Sequence, residues 1–196
     1  MQKFHSFLFL TFLVSLAACK SHEKKILVYA SSDIQVDDSK HHITVSAGST
    51  HHEQELDFNT GNPVTLDVQS PDGKLSVTAA DDGLYILNLE PDTVIGSYRH
   101  VGTDTGPAHI TQDQLKESID SVQKLMQDLN VSEANRNYFI APGKIVKITA
   151  ETKAKVFGPY TSIPGSFDAA SVPEIYKFYT VPEEREIIDN LQKDTK

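Results

Sequence analysis

Apolar and polar residues alternate along the first half of this chain with a period of two. Val64, Leu66 and Val68 alternate with Thr65, Asp67 and Gln69, the pattern of a strand with one buried face. Ser70-Pro71-Asp72-Gly73 follows. Its proline is pre-set for the first central position of a turn, and its glycine is free to take positive φ. Leu75, Val77 and Ala79 alternate next, Asp81-Asp82-Gly83 turns the chain again, and Leu84 to Leu89 is a more continuously apolar run. The three segments predict a meander. Ile26 to Ala30, Ile43 to Ala47, Leu56 with Phe58, and Thr93 to Tyr98 predict further strands. Short strands with turns about every 8–12 residues predict an immunoglobulin-like β-sandwich over residues 26–101. The Cys-Trp-Cys hallmark of true immunoglobulin domains is missing, since the chain has one cysteine and no tryptophan.

The period changes after a linker at 102–107. Thr111 with Gln114 forms a capping box, and Leu115, Ile119, Val122, Leu125, Met126 and Leu129 follow at helical spacing. Asp113 lies in the first turn, where the helix dipole favours it, and Asn130 is the expected stop. Strands are expected at Tyr138 to Ile140, Lys144 to Thr149 and Ala154 to Phe157, with a turn at Ala141-Pro142-Gly143. A proline-containing loop then runs from Gly158 to Pro173. Thr180 and Glu183 form a second capping box, Pro182 fits the first helical turn, and Ile187, Ile188 and Leu191 are the expected inner face. The fold class is therefore mainly β, a sandwich followed by an α+β C-terminal region over 102–196.

The opening residues follow neither period. After Lys3, Phe7 to Leu16 is apolar apart from Thr11 and Ser15, and Ala17 and Ala18 are small. This is the make-up of a secretory signal, and it is too short for a membrane span of roughly 20 residues. Leu16-Ala17-Ala18-Cys19 resembles the lipobox of bacterial lipoproteins. The resemblance implies a diacylglycerol on the Cys19 sulfur, cleavage before Cys19 and acylation of the new amino group. Each buried methylene contributes about 0.8 kcal/mol, so two or three chains make a lasting anchor where one does not. Lys20 stands where the Gram-negative sorting rule has Asp for inner-membrane retention, which implies the outer membrane. Ser21-His22-Glu23-Lys24-Lys25 lacks an acidic export cluster, which favours the periplasmic side. The expected organisation is a signal peptide at 1–18, a lipidated tether at 19–25, then the two parts above.

Composition narrows the partners. Without residues 1–18 the chain keeps 178 of its 196 residues, and its formal net charge moves from −9 to −10 with the loss of Lys3. A chain of that length can bury about 70% of its unfolded surface without disulfides or metal. An acidic surface repels phosphate backbones, so no nucleic-acid partner is expected. The expected partners are the membrane, through the anchor, and a protein or glycan.

Candidate chemistry is sparse. His41-His42 and His51-His52 invite a metal reading. A hairpin turn at Gly48-Ser49 would offset the two pairs along a ladder, and adjacent strand residues face opposite ways. They are weak candidates, with a solvated sheet face as the alternative, and no cofactor is expected. Asp104-Thr105-Gly106 matches aspartic proteases in three letters, but it has no second copy and lacks the apolar flanks those sites need. His100, Asp104 and His109 match no metal spacing, and Asp37-Asp38 and Asp81-Asp82 read as turn acids. Lipidation of Cys19 removes cysteine catalysis. Eight of the twelve aromatics after residue 18 lie between Tyr138 and Tyr179. Tyr160, Phe167, Tyr176, Phe178 and Tyr179 are the candidate partner-binding cluster; the alternative is a small core beneath the last helix.

Asp82 to Leu89, Asn135 to Ile140 and Tyr176 to Tyr179 resemble segments of uncharacterised envelope lipoproteins, a likeness that carries no activity. The expectation is a lipid-anchored envelope protein acting as a non-enzymatic binding or structural module. The alternative is an envelope hydrolase with its site between the two parts.

Overall fold

The computed structural model describes residues 22–37, 39, 41–99, 111–132, 134–165, 167 and 173–194. In chain order the strands are β1 (Lys24–Ala30), β2 (Ile34–Asp37), β3 (His42–Val45), β4 (His52–Phe58), β5 (Val64–Ser70), β6 (Gly73–Ala79), β7 (Gly83–Leu89) and β8 (Val94–Arg99). Helix α1 (Gln112–Leu125) follows, then β9 (Asn137–Ile140), β10 (Lys144–Thr149), β11 (Lys155–Phe157), β12 (Ile175–Thr180) and α2 (Val181–Asp194). The fold is mainly β, with three four-stranded sheets and a C-terminal helix.

The sheet β10-β7-β1-β4 is the middle layer. Ile26, Val28, Ala30, Tyr85 and Leu87 of its β1 and β7 share one core with Ile43, Val45, Leu66, Val68 and Val77 of the sheet β2-β3-β5-β6. The alternate residues Leu27, Tyr29, Leu84 and Ile86 share a second core with Val94, Tyr138, Ile140, Tyr176 and Phe178 of the sheet β11-β12-β8-β9. A strand covered on both faces cannot alternate, which is why β1 and β7 read as continuous apolar runs. The two lie side by side in parallel, Lys24 level with Gly83 and Ala30 level with Leu89.

This arrangement corrects three expectations. The predicted meander stops after its hairpin. β5 and β6 pair antiparallel from Val64–Ala79 to Ser70–Gly73, but β7 leaves for the middle sheet. The near-continuous apolar run of β7 drives this, since a hairpin partner on a one-sided sheet would leave half its side chains in water. The boundary at 101/102 separates strands that pair with each other: β10 joins β7, and β9 and β12 flank β8. The tether also ends early. Lys24 belongs to β1 and is fully buried, its ammonium donating to the Thr60 carbonyl (2.7 Å) and to Asp82 Oδ1 (3.1 Å).

Both helices carry the predicted caps. Thr111 Oγ1 accepts the Gln114 N–H (3.2 Å), while the Thr111 N–H donates to Gln114 Oε1 (2.9 Å). Thr180 and Glu183 repeat the exchange at α2 (3.3 and 3.2 Å). Helix α1 ends at Leu125, before the expected stop, because Asp128 and Asn130 both take positive φ. On α2 only Ile188 of the expected inner face is buried; Ile187 and Leu191 stay 37% and 39% exposed.

One side chain joins the layers. Asn88 is fully buried on β7. Its amide donates to the carbonyls of Ile140 (2.8 Å) and Asp92 (3.0 Å), and its Oδ1 accepts the Glu90 N–H (2.9 Å). It therefore fixes both the β7–β8 turn and the position of β9. The Tyr138 hydroxyl makes a second link by donating to the Ile148 carbonyl. Asn88→Ala orphans two carbonyls and one N–H, so we expect a loss of about 2–4 kcal/mol of unfolding free energy. Urea unfolding followed by circular dichroism measures it, and a loss below about 0.5 kcal/mol contradicts this role.

Candidate functional site

The densest group of titratable side chains lies at the seam between the middle sheet and the sheet that holds β12. His51 precedes β4. Its Nδ1 is 2.7 Å from Glu90 Oε1, beyond the end of β7, and its Nε2 is 3.0 Å from Glu53 Oε1 on β4. The imidazole packs against the Tyr29 ring of β1 (5.6 Å between centroids) and edge-on against Tyr160 (5.7 Å). Tyr160 has φ +60 and is held by its N–H to Glu183 Oε1 (2.9 Å) and its hydroxyl to Thr180 Oγ1 (3.3 Å).

Beside this group lies a buried cation. Lys177 of β12 is 4% exposed and donates to the carbonyls of Gly158 and Phe178, each at 2.7 Å. Its ammonium also sits over the Tyr179 ring at 4.0 Å. A Cβ at position 158 would collide with the Glu53 carboxylate where it now lies and force it to move. Two polar atoms of the region are buried without a hydrogen-bond partner, the Tyr29 hydroxyl and Glu184 Oε2.

The electrostatics follow from burial and neighbours. Burial disfavours the His51 cation, but the hydrogen bonds to Glu53 and Glu90 overcome it and lift its pKa from 6.5 to about 9. Burial lowers the Lys177 pKa against the opposing pull of Glu183, Glu184 and Glu53. Burial raises the Glu184 carboxyl. It also pushes the Tyr29 hydroxyl well up, with Glu53 adding to the effect.

Chemically, this is a clasp. A general base needs a free ring nitrogen, and both nitrogens of His51 are engaged with carboxylates. A nucleophilic amine needs a free lone pair and access; the Lys177 ammonium is shut between two carbonyls and an aromatic face. The arrangement joins β1, β4, β7, β12, the 158–160 loop and the start of α2.

The four histidines do not converge. His41 packs edge-on against Phe58 (5.3 Å), His42 pairs with Asp37 and Asp67 in the β2-β3-β5 ladder, and His52 lies 3.5 Å from Asp33. The expected Gly48-Ser49 hairpin is not made, because β3 pairs with β2 and β5 while β4 pairs with β1. Among the described residues no three His, Cys, Asp or Glu side chains surround a common point suited to a metal ion.

The aromatic cluster divides. Tyr176 and Phe178 are core residues, packed edge-on and tilted against Tyr138 and unavailable to a partner. Tyr179 is half-buried beneath Lys177, and Phe167 packs on Phe157 (6.2 Å). Only Tyr160, 66% exposed, offers its ring to solvent. The cause is β12, a strand that the sequence reading left unassigned and whose inward positions include Tyr176 and Phe178. Of the turn acids, Asp82 is bound by His22 (2.8 Å) and Lys24, which together hold its carboxyl below the usual range. Asp37 accepts the Ser39 hydroxyl (2.6 Å). Cys19, His100, Asp104, His109, the Asp104-Thr105-Gly106 tripeptide and Asp38 lie outside the described residues.

Glu90, Lys177, Glu184 and Tyr29 were not singled out from sequence. Two had a signal: Lys177 interrupts the apolar run Ile175 to Tyr179, and Glu90 directly follows Leu89 at the end of a near-continuous apolar run. Compared with models of known families, with curated proteins and with solved structures, the chain matches none.

The raised His51 pKa has a definite sign for stability. The folded state holds the extra proton between about pH 6.5 and 9, so the contribution is complete below 6.5 and lost as pH rises through 9. It amounts to at most about 3 kcal/mol. Unfolding free energies measured from pH 6 to 10 should fall across that window, and His51→Gln should remove that component of the slope. An unchanged slope in the variant would exclude His51 as its source.

Proposed function

We propose that the chain is a lipid-anchored cell-envelope protein acting as a non-enzymatic binding or structural module. The observation that carries the non-enzymatic reading is the closed state of its best-assembled polar group: both nitrogens of His51 are spent on Glu90 and Glu53. The competing hydrolase, with a site between the two parts, would need water and polymer to reach Lys177 and Glu184, which are 4% and 7% exposed.

The anchor rests on Leu16-Ala17-Ala18-Cys19 and its likeness to a lipobox. Lys20 supports the outer membrane as destination, and the periplasmic face is the side proposed. Among the described residues no helix is long and apolar enough to cross a membrane. Four residues separate Cys19 from the start of β1, so five chain steps give a reach of at most about 18 Å. An anchor at Cys19 would therefore hold the body close to the bilayer. The two face-to-face sheets that share Ile26, Leu87, Leu66 and Val68 support a β-sandwich, and the immunoglobulin-like kind is part of this proposal.

Mass spectrometry of the N-terminal peptide should find Cys19 carrying diacylglycerol and an amide-linked acyl chain. Cys19→Ala should leave the signal uncleaved. An unmodified thiol on the mature wild-type protein would end the anchor reading. Hydrolysis of envelope polymers by purified protein, abolished in folded Glu184→Gln, would replace the binding reading with the hydrolase.

A further inference from the structure

The stacking of the layers leaves two strand edges together. β4 is the last strand of the middle sheet, paired with β1 on one side only. β2 is the last strand of its own sheet, paired only with β3. Between them runs a cleft of about 520 Å³, lined by Ile34, Val36, His41 and residues 54–58. Its lining is polar over most of its area, with an apolar part of the floor where Ile34, Val36 and Phe58 pack on the first core yet remain partly exposed.

Every second residue of an antiparallel strand turns its N–H and C=O away from its neighbour. Among the described residues that outer row of β4 has no ladder partner, and the register with β1 is unbroken from Lys24–Phe58 to Ala30–His52. The Gln54 side-chain amide donates to the Glu55 carbonyl (3.1 Å), a local substitute for a strand. An unpaired edge beside a partly apolar floor is the geometry that accepts an extended segment as an added strand.

The charges around the cleft choose the occupant. Glu55 and Asp57 flank it on β4, and Asp33 and Asp37 bracket β2. Lys25 lies 2.7 Å from Glu55 and 3.7 Å from Asp57. A second copy pairing through β4 would bring Glu55 and Asp57 against their own counterparts, which like-charge repulsion opposes.

We propose that the free edge of β4 takes an extended segment of a partner protein with alternating basic and apolar residues. Main-chain hydrogen bonds to β4 provide affinity, the apolar side chains meet Ile34, Val36 and Phe58, and the basic ones meet Glu55 and Asp57. The inference rests on the binding-module reading and is independent of the lipid anchor.

The test titrates detergent-solubilised mature protein with a labelled heptapeptide alternating lysine and valine. Anisotropy reads binding, and hydrogen exchange reads protection along β4. Two folded variants accompany it: Glu55→Pro, which blocks the edge, and the charge reversal Glu55→Lys with Asp57→Lys. The expected result is saturable binding, slowed exchange at residues 53–58, and affinity about tenfold weaker or less in both variants. A glutamate-valine peptide should prefer the charge-reversed protein.

Equal binding by the wild type and both variants overturns the proposal, as does equal binding of a proline-interrupted lysine peptide. Sedimentation showing a dimer that Glu55→Pro dissolves would assign the edge to a second copy instead. No binding by the wild type also overturns it. In-cell crosslinking from Tyr160 and Thr78 then separates the two failures. A specific partner captured there keeps the binding module with a different surface; none leaves the structural-module reading.

Discussion

Burying both faces of β1 and β7 penalises any polar group in those strands that lacks a partner inside the protein, a penalty that the Tyr29 hydroxyl carries and that Lys24 and Asn88 escape. That constraint organises the rest. Lys24 and Asn88 are fully enclosed there and hydrogen-bonded. Unpaired, each would cost more than a typical surface residue contributes. Lys24 is answered by Thr60 and Asp82, which closes the open end of the sheet against the β6–β7 turn. Asn88 is answered by Ile140, Asp92 and Glu90, which closes the other end against β9. The apolar side chains supply the driving force for stacking; these two polar residues select the arrangement of the layers.

The seam cluster follows from the same enclosure. Glu90 lies at the end of β7 and is 7% exposed, so its charge needs a counter-ion, and His51 is placed to be one. Glu53 on the neighbouring strand takes the other nitrogen. Between two carboxylates the imidazolium is the stable form, which suits a fixed bridge and not a group that exchanges protons at neutral pH. The unpartnered Tyr29 hydroxyl and Glu184 oxygen show that the seam is incompletely satisfied. Its stability therefore depends on the ion pairs that are made.

What was legible in the sequence was local. Both capping boxes, the β5–β6 hairpin, the Ala141-Pro142-Gly143 turn and the apolar character of β7 are set by residues a few positions apart, and all appear in the fold. What was not legible was pairing at a distance. Period two says that Leu75, Val77 and Ala79 form a strand; it does not say that the next strand crosses to another sheet. The break at 102–107 looked like a domain boundary because the period changes there, yet β7 pairs with β10, and β8 with β9 and β12, all from beyond it. β2 was missed because four residues, Ile34 to Asp37, give too short an alternation. β12 was missed because Lys177 interrupts its apolar run. The His pairs are set apart not by a hairpin between them but because they lie at the starts of β3 and β4, strands of two different layers.

Two of the twelve strands end their layers side by side, and this has a cost that the sequence meets openly. An apolar strand with an open edge would pair with its own copies. β4 is the least apolar strand of the middle sheet, and of its seven residues only Leu56 is fully buried. Glu53, Glu55 and Asp57 occupy one face of it, where β1 and β7 carry Leu27, Tyr29, Leu84 and Ile86. Its acids are thus confined to one edge strand of that sheet, which the outer layers leave partly uncovered. The same charges that keep copies of the chain apart also fix the sign of anything that could pair there. Protection against self-association and choice of partner are one property of a single strand.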